Sequence, residues 1–146
     1  EQSKNFHQSK INSQLSNRTP TLNMNEKTTQ RIIEQNPKIF AQDFYFECDD
    51  GWADIIFNLC KELQQEIDNS DCEQIVAVQV KEKFAGLRFY ASVGSEKTSE
   101  IIDKYSKLSI ETCEMTGGRG YICEKFGWYK TLCPEAAMIL GFKRCK

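Results

Sequence analysis

The chain has 146 residues, 40% of them hydrophobic, and a formal net charge of −2. That length fits one domain with a real core, and it excludes a wholly disordered chain. No apolar run approaches the ~20 residues that cross a bilayer, and no charged-then-apolar start marks a signal peptide, so the expected address is cytoplasmic.

Residues 1–25 are rich in Asn, Gln, Ser and Thr and lack periodicity, which predicts a flexible polar tail. Met24 is a candidate natural start, with the preceding residues an upstream extension. A single globular domain is expected over 26–146. It begins with a short helix from Glu26 to Gln35, Ile32 and Ile33 inward, stopped by Asn36-Pro37. From Trp52 the apolar residues Ile55, Ile56, Leu59, Leu63 and Ile67 form a helical stripe, with Asp49 or Asp50 placed to cap it. Ten carboxylates against the single cation Lys61 lie between Asp43 and Ile75. A solvated helix face is the simpler account of that block; a surface for a basic partner, built on Asp50, Asp54, Glu62 and Glu66, is the alternative.

Strand periodicity follows over 75–93. Val76, Val78 and Val80 alternate with polar neighbours, and Leu87, Phe89, Ala91 and Val93 do the same after a reversal at Phe84-Ala85-Gly86, where Gly86 is expected to supply the unusual backbone angle. With both apolar sets inward, Gln79, Lys81, Lys83, Arg88 and Tyr90 make the outer face. Cations beside an aromatic suit phosphates and bases, yet an outer hairpin face kept soluble by Lys and Arg has the same composition. A third helix is predicted from Thr98 to Ser109 with Ile101, Ile102, Tyr105 and Leu108 inward. Then come the glycines Gly117, Gly118 and Gly120, a Trp128-Tyr129 strand, and a helix starting near Pro134. Trp52, Phe84, Phe89 and Trp128 are assigned to the core.

Catalytic signatures are sparse. The one histidine, His7, lies in the polar tail, which removes most Cys-His, Ser-His and zincin arrangements. Carboxylate pairs such as Asp49 with Asp50 are ordinary on solvated helices, and Thr116–Gly120 lacks the Gly-Lys-Ser/Thr ending of a P-loop. The seven cysteines include no Cys-x-x-Cys pair, and their odd number argues against a secreted disulfide framework. No enzyme is expected.

Four words in order, DGWADIIFNLC, QVKEKFAGLRFY, CEMTGGRG and GWYKTLC, resemble a largely uncharacterised family of small proteins of phages, prophages and other mobile elements. The resemblance covers about Thr28 to Ala136. It implies a C-terminal zinc ribbon, degenerate here: the first cysteine of each ligand pair remains as Cys113 and Cys133, whereas the second positions read Thr116 and Ala136. Cys123 and Cys145 could complete a rebuilt four-cysteine zinc set with them; the preferred reading is a relic without cofactor, in which packing replaced the ion. The expected fold is therefore α+β, two or three helices packed on a small antiparallel sheet, with that ribbon-like segment after it. The expected function is stoichiometric binding to a protein partner, possible inhibition of a host defence system included, through Lys81, Lys83, Arg88 and Tyr90 or through the acidic face. RNA or single-stranded DNA binding by the hairpin is the alternative.

Overall fold

A computed structural model describes residues 24–146. Most of the predicted tail, His7 included, lies outside the described residues. Its last two residues belong to the fold instead: Met24 is buried, and the Asn25 side chain accepts from the Thr28 N–H at 2.8 Å to cap the first helix.

The order of elements is α1 (Glu26–Gln35), a 3-10 turn (Asp50–Trp52), α2 (Ala53–Asp68), β1 (Ala77–Lys83), β2 (Gly86–Ala91), α3 (Glu96–Ser109), β3 (Tyr121–Lys125), β4 (Trp128–Leu132), α4 (Pro134–Leu140) and β5 (Lys143–Arg144). The fold is α+β, with four helices and two antiparallel sheets, β1-β2 and β4-β3-β5. Helix α2 forms where the apolar stripe runs, and it buries Ile55, Ile56, Leu59, Leu63 and Ile67. Helix α3 starts at Ser95, whose hydroxyl and Thr98 exchange hydrogen bonds in a capping box. It begins two residues before the predicted Thr98, and its Leu108 is exposed rather than inward.

Two cores result. The larger joins α1, α2 and the inner face of β1-β2 around Trp52, Phe46, Leu59, Val80, Leu87 and Phe89, with an aromatic group of Phe40, Phe44 and Phe46 at ring separations of 5.0–5.2 Å. The smaller collects Cys113, Met115, Cys123, Leu132, Cys133, Ala136 and Ala137 beneath the C-terminal sheet. They are tied together where the first and third words of the sequence meet. Gly51 N–H donates to Glu114 O at 2.7 Å, Trp52 Nε1 to Thr112 O at 2.9 Å, and Asp49 N–H to Glu114 Oε2 at 3.1 Å. A Cβ on Gly51 would sit 2.2 Å from the Cys113 carbonyl oxygen, so only glycine permits this approach.

The expected zinc-ribbon-like C-terminus is corrected by the structure. Among the described residues no three His, Cys, Asp or Glu side chains converge on a metal position. Thr116 fills the space beside Cys113 and Cys133, with its amide 3.4 Å from one sulfur and its hydroxyl 3.7 Å from the other. Cys123 turns its thiol to the Tyr121 carbonyl at 3.2 Å, so it does not complete a set with Cys113, Cys133 and Cys145.

Candidate functional site

The first hairpin is built on a two-residue loop. Lys83 pairs with Gly86, and the loop residues Phe84 and Ala85 both have positive φ, 51° and 71°. Positive φ at both loop positions matches the right-handed twist of the strands, but it is costly for residues with a side chain. Gly86, expected to carry the unusual angle, lies in β2 without it. The loop is held from below: Ala85 is buried, its N–H donates to Glu82 Oε1 at 3.3 Å, and its carbonyl accepts from Thr131 Oγ1 at 2.8 Å. Phe84 is left outside, 72% exposed. Its assignment to the core is therefore corrected: a ring at the first loop position has no core above or below it.

Register then fixes the face. Lys81 stands opposite Arg88 and Gln79 opposite Tyr90, so Gln79, Lys81, Lys83, Arg88 and Tyr90 share one side of the ribbon. The ammonium of Lys81 lies 5.7 Å from the centre of the Tyr90 ring, and that of Lys83 lies 5.8 Å from the Phe84 ring. Cation and aromatic thus alternate towards the tip. At the far end the face becomes less basic, because the backbone of Glu47 pairs alongside β1 and its carboxylate accepts from Gln79 Nε2 at 2.7 Å. A break in register between Ala77 and Gln79 turns Val76 and Val78 outward, whereas alternation predicted them inside.

The acidic candidates are dispersed. Asp50 accepts from the Asn25 N–H at 2.8 Å and from Asn25 Nδ2 at 2.7 Å, and so helps to hold the entry to α1. Glu62 and Glu66 face α3, where Lys104 lies 2.7 Å from Glu62 and Lys97 lies 4.0 Å from Glu66. Hydrogen bonds from Lys104 and Tyr105 hold the Glu62 carboxyl below its usual range, while burial and Glu62 push Tyr105 up to about 12. Asp54 is exposed on the first turn of α2.

Two features escaped the sequence reading. The β3-β4 hairpin repeats the construction of the first: Phe126 and Gly127 both have positive φ, and Phe126 follows Lys125 as Phe84 follows Lys83. Phe126 is 92% and Trp128 is 70% exposed, which corrects the placing of Trp128 in the core. The repeated Lys-Phe pair followed within two residues by glycine was the available signal. The second feature is a buried polar node. Glu114 takes Asp49 N–H on one oxygen and Lys130 Nζ at 3.0 Å on the other, and Glu82 lies near both charges. Burial raises the Glu82 carboxyl, and burial with the nearby Glu114 raises the Cys48 thiol.

No protein-family model matches the chain, nor does any curated protein or solved structure. Among the described residues no helix is long and apolar enough to cross a membrane.

Proposed function

We propose that this protein is a non-catalytic binding module that docks stoichiometrically on a partner protein through the cation–aromatic face of its first hairpin. The observation that carries this reading is Phe84. It is an aromatic residue held at a costly backbone angle, exposed, with Lys81, Lys83, Arg88 and Tyr90 beside it. Backbone strain clusters at functional sites, and aromatic and Arg side chains are the usual anchors of protein interfaces. The face fits an acidic partner surface, with steering by its three cations. The acidic candidates support a competing surface less well, because Glu62 and Glu66 already have lysine partners. The thiols with shifted ionisation are all raised, the wrong direction for a nucleophile. Likeness to mobile-element proteins makes a host defence component the first partner to test.

Affinity capture from host lysate with the full chain tests the reading, in parallel with a Lys81→Glu/Arg88→Glu variant, each with and without nuclease. One protein at equal stoichiometry that survives nuclease and is lost in the variant is expected. Capture that vanishes with nuclease would move the function to nucleic acid, and capture indifferent to the variant would move it to another face.

A further inference from the structure

The seven cysteines are all free thiols, and their surroundings divide them. Cys48 and Cys60 lie in the larger core, where burial raises both. Cys72 donates to the Glu73 carbonyl at 3.5 Å, and Cys123 to the Tyr121 carbonyl at 3.2 Å. Oxygen acceptors around a sulfur favour the protonated thiol, which has a hydrogen to give. Cys113 and Cys133 have the opposite environment. The Thr116 N–H donates to Cys113 Sγ at 3.4 Å, and the Thr116 hydroxyl to Cys133 Sγ at 3.7 Å. One threonine therefore spans the two sulfurs, with its amide aimed at one and its hydroxyl at the other. Such donors favour a charged sulfur over a neutral one.

We propose that Cys113 and Cys133 form a two-thiolate site for a soft monovalent cation of the Cu(I) or Ag(I) type. Soft thiolates select such ions, which are satisfied by two ligands in line. Two thiolates leave a zinc ion short of its tetrahedral set, so the same pair discriminates against zinc. The incoming cation supplies the charge that displaces the thiol protons. On binding, each S–H gives its proton to solvent and each sulfur lone pair forms one metal–sulfur bond, with no change in oxidation state. The resulting anionic centre is approached through a groove lined by Thr116, Gly117, Gly118, Cys133, Pro134 and Glu135, with Arg119 at its rim paired to Glu111 at 3.7 Å.

The test is an anaerobic titration of the reduced full chain with Cu(I), offered as its complex with a chromophoric bidentate chelator. One equivalent should pass to the protein, with a new ultraviolet sulfur-to-metal band. Cys113→Ser and Cys133→Ser should each lose that equivalent, whereas Cys123→Ser and Cys145→Ser should keep it. Thr116→Ala retains both sulfurs and should bind about tenfold more weakly, the effect of losing an outer hydrogen bond to a ligand. X-ray absorption of the wild-type complex needs no variant to fold, and it should find two sulfurs around the metal. No transferred equivalent, three or more sulfurs, or retention in the Cys113→Ser or Cys133→Ser variant would overturn the proposal.

Discussion

Replacing Phe84 by Asn separates what the hairpin tip does for folding from what it does for binding. The ring is 72% exposed, so its burial contributes roughly a quarter of the ~2 kcal/mol of a fully buried phenylalanine. The Lys83 ammonium over the ring adds about 0.5 kcal/mol, as at other exposed cation–aromatic contacts. Against that loss of about 1 kcal/mol stands the left-handed backbone, which costs an ordinary L-residue roughly 1–2 kcal/mol and Asn less. The expected net effect runs from no change to about 1 kcal/mol of gained stability. A phenylalanine on which the fold depended would lose ~3–5 kcal/mol on truncation. Urea unfolding followed by circular dichroism resolves the two, provided the slope with denaturant is unchanged. The captured partner should bind the same variant at least about tenfold more weakly, a modest loss for an aromatic anchor. A variant destabilised by more than about 1.5 kcal/mol would refute the argument, since Phe84 would then belong to the fold.

Gly51→Ala should lower stability by about 3–5 kcal/mol, from overpacking and the hydrogen bonds at the junction, while Gly86→Ala, whose Cβ meets nothing closer than 3.5 Å, should be nearly neutral. Thermal melts check the pair, and equal losses would contradict the close approach at Gly51. Glu62, with its carboxyl below the usual value of 4.5, stabilises the fold above that value and ceases to do so as pH falls through the lower folded one. Tyr105 acts oppositely, stabilising below its ordinary value of 10 and losing that contribution as pH rises towards about 12. Lys104→Met should therefore flatten the acid limb of a stability–pH profile, by no more than about 1 kcal/mol for so exposed a pair. The raised carboxyl of Glu82 makes its ionised form a liability near neutrality, so Glu82→Gln, which can still accept the Ala85 N–H, should raise the melting temperature at pH 7 more than at pH 4.

Local periodicity made much of the fold legible. The stripe from Ile55 to Ile67 and the stop at Asn36-Pro37 depend on residues within a few turns, and α2 and α1 lie where those signals put them. The cation–aromatic face was legible for the same reason, because a period of two decides sides as soon as the register is right. Val76 and Val78 were misplaced because the register shift that turns them outward is set by a partner strand some dozen residues away. Phe84 and Trp128 were misplaced because hydrophobicity was taken as burial, although each sits at or beside a two-residue loop. The lysine partners of Glu62 and Glu66 come from another helix, Lys104 lying 42 positions along the chain from Glu62, beyond any helical spacing rule. The thiol pair was legible as two residues only; the donors of Thr116 that distinguish it depend on the folded knuckle.

The seam at Gly51 bears on how the protein is made. Asp49 N–H, Gly51 N–H and the Trp52 indole all find their acceptors between Thr112 and Glu114, some sixty residues later. A ribosome therefore extrudes α1, α2 and the first hairpin well before the groups that complete their packing. Contacts so distant in sequence slow folding, because the loop must close before they contribute. Until Thr112 and Thr131 emerge, the Trp52 indole N–H and the Ala85 carbonyl lack their partners, and incompletely packed chains of this kind are prone to aggregate. A premature stop anywhere between β2 and β3 should accordingly yield an aggregating fragment rather than a smaller working protein.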